Sequence, residues 1–515
     1  MNTSSLSVPN LMKLMIAIAF LFAVYVFATP LATGTQGGFL LVVAAVIGGY
    51  MAMNIGANDV ANNVGPAVGA GAMSLFAAIL IAGAFEAGGA LIAGGEVVST
   101  IKKGIINPDL IQDSQTFIWA MMAALLAAAI WLNVATLVGA PVSTTHSIVG
   151  GVLGAGIAAG GWAIVNWATM GKIAASWVIS PVLGGIIAAS FLYLIKNSIV
   201  YKTDKLAAAK KMVPILISFM ALAFSTYLVL KGLKKLWKFD LLSAAGIGLV
   251  IAITIYFIVK PLIARAADSM PNNRESVNKL FAVPLVFAAA LLSFAHGAND
   301  VANAVGPLAA INDALATGDV VKKAAIPLWV MVIGAGGIVV GLALYGPRLI
   351  KTVGSEITEL DMIRAFCVAM AAAITVIIAS QLGLPVSSTH IAVGGVFGVG
   401  FLREFLETNH IKAVLDIRQH LSGDEPEVAE EFLEKYEAAD IVERGEMLAE
   451  LKARKRAGDL IFDKSERKRL TKAHKTELVK RSMVYKIAAA WVITVPAAAA
   501  MSAFYFFTIR GIMLP

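Results

Sequence analysis

Asn58, Asp59 and Asn62 interrupt an otherwise apolar stretch, and the same three residue types return at the same spacing as Asn299, Asp300 and Asn303. A carboxylate inside a membrane segment costs about 2.5–3.5 kcal/mol on insertion scales and generally marks an ion path or a proton relay. Asparagine in such a segment also serves as interhelical glue. Gly56 and Gly65-Pro66 flank the first cluster, and Gly297 and Gly306-Pro307 the second. Glycine and proline loosen a helix and release backbone carbonyls, which can join side-chain oxygens around a small hard cation. Recurrence of the whole cluster favours two cation sites over two patches of glue.

A second duplicated motif complements the first. Pro141-Val-Ser-Thr-Thr-His146 is answered by Pro385-Val-Ser-Ser-Thr-His390. Proline ends a preceding helix, and serine and threonine cap the next one. The unpaired N–H groups of a helix start, with Ser143, Thr144 and Thr145 or Ser387, Ser388 and Thr389 beside them, make an anion site without arginine or lysine. Ordinary capping is the alternative, and the pairing of the motifs favours the anion. Asp59 and Asp300 are candidates to face the same anion. His146, His390 and His296 are expected to gate or couple, as is Glu86, an acid inside an apolar run. Aligning Ala87-Gly-Gly with Ala335-Gly-Gly sets Gly334 opposite Glu86, so this acid is not duplicated. No catalytic residue is expected, because the Ser–His pairs have no orienting carboxylate and no Gly-x-Ser-x-Gly elbow.

The elements that must hold these residues are membrane helices. Of 515 residues 58% are hydrophobic and 14% charged, with a mean hydropathy of +0.80. Soluble domains run near one quarter charged, and a span needs about 20 apolar residues. Segments near 11–29, 38–56, 73–94, 117–139, 145–163, 173–195, 213–231, 241–260, 280–298, 322–345, 363–383, 388–402 and 485–509 qualify, some of them short. The first could pass for a secretory signal, but it is expected to stay as a span. The expected fold is therefore an all-α integral membrane protein of about 12 transmembrane helices in two inverted repeats, with broken or re-entrant helices. A lone cysteine, Cys367, excludes an intrachain disulfide and is expected to be buried.

Residues 404–481 differ. Between Arg403 and Lys486 stand 18 basic and 18 acidic residues, with apolar residues at helical spacing. They predict a small soluble helical insertion, and a weak excess of basic residues in the loops on its side places it in the cytoplasm. The net charge of +8 sits in lysine-rich loops between apolar runs, so the lipid bilayer is the partner and nucleic acid is not.

Spacing supports one duplication. Asn58 to Pro141 is 83 residues and Asn299 to Pro385 is 86. Lys172-Ile-Ala-Ala-Ser-Trp-Val-Ile also matches Lys486-Ile-Ala-Ala-Ala-Trp-Val-Ile, once a surplus of 70 residues is assigned to the charged stretch. The expected divisions are an N-terminal span (1–37), repeat 1 (38–195), linking spans and basic loops (196–279), repeat 2 (280–403 and 482–515) and the insertion (404–481). Seven steps separate the corresponding spans, so the repeats enter the membrane from opposite sides, a plan suited to alternating access.

Gly-Ala-Asn-Asp-Val-Ala-Asn, intact at 56–62 and 297–303, resembles the signature of the inorganic phosphate transporter (PiT) family. The Pro-Val-Ser-Ser/Thr-Thr-His pair and Phe85-Glu86 with Gly88 are similar too. The resemblance covers nearly the whole chain outside 404–481. It implies cation-coupled symport of inorganic phosphate across the cytoplasmic or inner membrane, with sodium or a proton as the coupling ion and no other cofactor. By that resemblance Asn58, Asp59, Asn299 and Asp300 serve cation and phosphate binding, while Ser143, Thr144, Thr145, Ser387, Ser388 and Thr389 line the phosphate site. Sulfate is the alternative cargo, and a membrane-embedded hydrolase or scaffold the rival from another class. Assembly as a homo-oligomer stays open.

Overall fold

A computed structural model describes residues 10–34, 37–111, 113–138, 142–232, 237, 239–317, 326–350, 360–406, 431–436, 447 and 481–514. Regular structure among them is helical, apart from an isolated bridge between Ile106 and Val165. The first half contains α1 (Asn10–Ala32), α2 (Gly38–Gly69), α3 (Leu75–Ala93), α4 (Gly95–Lys103), α5 (Ser114–Val138), α6 (Thr144–Gly160) and α7 (Trp167–Ile195). Then come α8 (Lys205–Gly232), α9 (Leu241–Asp268), α10 (Arg274–Leu280), α11 (Ala282–Thr317) and α12 (Leu328–Leu344). The chain closes with α13 (Met362–Gln381), α14 (Ser388–Leu406) and α15 (Arg481–Met513).

Each of the thirteen apolar segments expected from the sequence overlaps one of these helices. The expectation of about twelve full spans is reduced, however. Ten helices among the described residues are long and apolar enough to cross a membrane. At 1.5 Å per residue, the 17 residues of α6 reach about 25 Å, short of the ~30 Å hydrocarbon core. The same length limits α12. Ser143 caps the start of α6, and Gly161, at φ 76°, ends it.

Burial identifies the centre. Every residue from Met51 to Ala67 in α2 and from Ala288 to Ile311 in α11 is buried. A helix buried on all faces needs neighbours all round, and α3, α5, α12 and α13 supply them. By contrast α1 and α9 expose Phe22, Leu249, Phe257 and other large apolar side chains, as lipid-facing helices do. Cys367 is buried, as expected.

One expectation is corrected at this centre. The flanking glycines do not loosen the helices: α2 runs unbroken through Asn58, Pro66 and on to Gly69, and α11 through Asn299 and Pro307 to Thr317. The polar clusters therefore sit inside long helices, beyond the expected end of a span at residue 56. Gly56 and Gly297 instead permit backbone contact. A Cβ on Gly56 would lie 2.0 Å from the carbonyl oxygen of Ile338, and one on Gly297 would lie 2.1 Å from that of Glu86. Pro66 and Pro307 still have a local effect. Neither carries an N–H, so the carbonyls of Asn62 and Asn303, four residues back, lose their ordinary helical donor.

The same glycine contacts reveal how the halves interlock. Gly89 would meet Phe294 as Gly341 would meet Met53. Because Met53 corresponds to Phe294 and Gly56 to Gly297, Glu86 corresponds to Ile338. This corrects the sequence alignment of Glu86 with Gly334, although the acid remains unduplicated. The pattern extends to the later helices. Gly150 and Gly154 of α6 press on Val495 and Ala499 of α15, while Gly394 and Gly398 of α14 press on Pro181 and Gly185 of α7. Each half thus packs its glycine-rich helix against a helix of the other.

Val399–Ser482 forms a separate compact unit. Within it residues 431–436 are helical, with Phe432 stacked on Tyr436. The rest of the expected helical module lies mostly outside the described residues.

Candidate functional site: two aspartates under two helix starts

The long helices α2 and α11 bring Asp59 and Asp300 together, and α6 and α14 begin beside them. Ser143 caps α6 by accepting the N–H of His146 at 3.1 Å, and Ser387 accepts that of His390 at 3.3 Å. The next hydroxyls turn to the carboxylates. Thr144 donates to Asp59 at 2.9 Å and lies 3.4 Å from Asp300. Ser388 donates to Asp300 at 3.3 Å, and Thr389 to Asp59 at 3.1 Å. Aspartates and hydroxyls are all buried. The first N–H groups of each helix have no intrahelical acceptor by construction, so two sets of donors border two acids.

The amides bind the halves reciprocally. Asn62 donates to Thr389 at 2.9 Å, and its counterpart Asn303 donates to Thr145 at 3.2 Å and to Thr144 at 3.3 Å. Thr145 passes its own hydroxyl proton to the Val386 carbonyl at 2.8 Å. Such exchange of equivalent partners is the signature of a local two-fold relation. It holds for His146 and His390 also, which face each other with ring centroids 4.4 Å apart. Trp177 stands edge-on to His146 at 3.8 Å. The two histidines thus contact each other, and His146 also contacts the tryptophan.

Asn58 and Asn299 are brought near but turned aside. Asn58 donates to Thr136 at 3.2 Å, and Asn299 donates to Ser380 at 3.0 Å. Thr136 and Ser380 were not singled out from the sequence, yet each lies five residues before a motif proline, which is a readable signal. In the second cluster the Oδ1 atoms of Asn299, Asp300 and Asn303 are buried without a hydrogen-bond donor among the described residues. A buried, unsatisfied acceptor costs about 1–3 kcal/mol, and oxygens of this kind suit a hard cation.

His296 adds a nitrogen. Its Nε2 lies 3.1 Å from Asp300 and 3.5 Å from Asp59, and its Nδ1 lies 3.3 Å from Glu86. Ligating atoms of Asp59, His296 and Asp300 fall within 4.8 Å of one another, within reach of one ion. Asn63, overlooked in the sequence, donates to Glu86 at 2.8 Å. Away from this centre, Lys102 of α4 pairs with Asp313 of α11 in a buried ion pair.

A bundle of long apolar helices with a duplicated, buried site of acids, amides and helix starts at its centre defines a multi-pass membrane carrier. The chain belongs to the phosphate transporter family, whose profile it matches over residues 55–502. It is 53% identical over 503 residues to the "Putative phosphate permease" of Helicobacter pylori (strain J99), covering 96% of this chain and 94% of that one. A permease of the same description from Pyrococcus abyssi is 40% identical over 365 residues, or 70% of this chain and 89% of its own. A solved structure described as the sodium-dependent phosphate transporter superposes with a TM-score of 0.74 at 32% identity, covering 92% of this chain and all of that one. Membership of this family sets the chain among transporters and not among enzymes.

Proposed function

We propose that the chain carries inorganic phosphate across the cytoplasmic membrane in symport with a cation, sodium in preference to a proton, by alternating access. The observation that carries this reading is the convergence of two helix starts, one from each half, on Asp59 and Asp300. Phosphate would lie against Ser143, Thr144, Thr145, Ser387, Ser388 and Thr389, and the cation against the acids and amides of α2 and α11. The duplication, with an odd number of expected spans between its copies, supports inverted repeats that exchange conformations about a midplane site.

The charges explain why phosphate needs a companion. At about 5 Å and an effective dielectric near 20, one carboxylate repels one phosphate charge by roughly 3 kcal/mol. A cation between them reverses the sign, so each ligand strengthens the other. Several neutral oxygens beside each acid favour sodium, since a proton needs only the acid. Hydrogen phosphate can donate a hydrogen bond to a carboxylate and sulfate cannot, which favours phosphate. Radiolabelled phosphate uptake into proteoliposomes, under an inward sodium gradient, a proton gradient or none, is the test. Accumulation driven by sodium is expected. Accumulation of sulfate instead, or no dependence on either gradient, would refute the assignment.

A further inference from the structure

Away from the central site, α8 and α9 pack chiefly on each other. They run antiparallel, since Lys210 near the start of α8 pairs with Asp268 at the end of α9. Between them lies a groove of about 470 Å³. Ile215, Ser218 and Leu222 line it from α8, and Leu249, Ile253 and Tyr256 from α9. Ser218 turns its hydroxyl to the Pro214 carbonyl of its own helix at 2.8 Å, which leaves this wall apolar. Ile215, Leu249 and Ile253 are exposed, so the groove opens to the surrounding hydrocarbon.

Both walls continue into a lysine. Residues four and seven apart share one face of a helix. Lys211 stands four residues before Ile215 and seven before Ser218, and Lys260 stands four after Tyr256 and seven after Ile253. Because the helices are antiparallel, the two lysines reach the same end of the groove. Lys260 folds back over its wall, with Nζ 5.5 Å from the centroid of the Tyr256 ring. Both lysines are exposed, and neither has a carboxylate partner among the described residues, the nearby Asp268 being held by Lys210. The depth is that of one leaflet. Leu249 and Lys260 are 11 residues apart, or about 16 Å along the helix, against half of a ~30 Å hydrocarbon core.

We propose that this groove binds an anionic phospholipid, with one acyl chain along the apolar walls and the headgroup phosphate on Lys211 and Lys260. A basic pocket between membrane helices is suited to such a headgroup. A soluble anion would leave the apolar groove unused, and a lipid of no net charge would leave both lysines unpaired. The assignment is independent of what the central site carries.

The test compares phosphatidylglycerol with phosphatidylcholine of the same acyl chains, each added to the detergent-purified protein and counted by native mass spectrometry. Each lysine near a headgroup favours an anionic lipid by roughly fivefold, so the parent is expected to retain phosphatidylglycerol about tenfold or more over phosphatidylcholine. Lys211→Gln/Lys260→Gln should bring that ratio below about threefold, while Lys211→Arg/Lys260→Arg keeps it. Ser218→Leu, which puts bulk into the groove, should lower retained phosphatidylglycerol severalfold with both lysines in place. Lys13→Gln/Lys172→Gln removes two lysines elsewhere and should leave the ratio unchanged. A parental ratio near one, or a full ratio in the Lys211→Gln/Lys260→Gln variant, overturns the site. An equal loss in the Lys13→Gln/Lys172→Gln variant overturns it in favour of a general basic surface. Unchanged lipid in Ser218→Leu overturns the groove as the chain's seat, and an accompanying loss of oligomer would give the groove to a second copy of the chain.

Discussion

Thr389 donates its hydroxyl to Asp59 at 3.1 Å, although 330 positions separate them in the chain. The bond joins the start of one half's short helix to the middle of the other half's central helix. With Thr144, 2.9 Å from the same carboxylate, it puts the hydroxyls proposed to bind the anion and an acid in one hydrogen-bonded set. The hydroxyls that hydrogen-bond Asp59 are those proposed to turn to phosphate.

Thr144→Val and Thr389→Val are therefore each expected to weaken phosphate binding without unfolding the protein. A hydrogen bond to a charged group contributes about 1.5–3 kcal/mol, roughly one to two decades in affinity. Titration calorimetry of the purified variants measures this, and parental affinity in both would move the anion site elsewhere.

Removing both carboxylates probes the coupling as a whole. In Asp59→Asn/Asp300→Asn the repulsion toward phosphate, roughly 3 kcal/mol per charge pair, is gone along with the cation's anchor. Concentrative uptake should vanish, while phosphate binding persists and no longer responds to sodium. Phosphate titrations at several sodium concentrations decide it.

The glycine crossings are expected to be intolerant. Gly297→Ala or Gly56→Ala would set a Cβ about 2 Å from a carbonyl oxygen, and overpacking of this severity should cost about 3 kcal/mol or more. Gly246, on the lipid-facing α9, has no atom within 4 Å of such a Cβ. Gly246→Ala should leave thermal stability in detergent unchanged or slightly raised.

Lys102 and Asp313 tie α4 to α11 in a buried ion pair, with side chains only 5% and 7% exposed. Lys102→Met alone should destabilise the fold by about 3–5 kcal/mol, because it strands a buried carboxylate. Lys102→Met with Asp313→Leu should recover most of that loss, as read from thermal unfolding of the three variants.

The charged insertion interrupts only the second half and is balanced in charge, so replacing residues 408–479 by a short flexible linker is expected to leave uptake within about threefold of the parent. A deletion variant that elutes as a folded species but has lost flux would make the insertion part of the mechanism. A cysteine placed there and labelled only from outside the cell would reverse its expected cytoplasmic position.

Much of this protein was legible in its residues alone. Apolar runs located thirteen helices among the described residues, because burial in lipid leaves the same mark on a segment whatever it packs against. The doubled Gly-Ala-Asn-Asp-Val-Ala-Asn and Pro-Val-Ser motifs located Asp59, Asp300, Thr144 and Thr389, because a repeated polar residue in an apolar run is costly enough to demand a purpose. The tertiary structure alone decided how these parts meet. Gly56 and Gly297 read equally well as helix looseners or as contact points, and only the crossing of α12 on α2 and α3 on α11 makes them the latter. Nothing near Asn63 in sequence announces Glu86, since their bond depends on two helices approaching to backbone contact. The correspondence of Glu86 with Ile338 likewise follows from packing. Local pattern records how deeply a residue is buried; which neighbour it finds there is set by the close-packed geometry of the whole bundle.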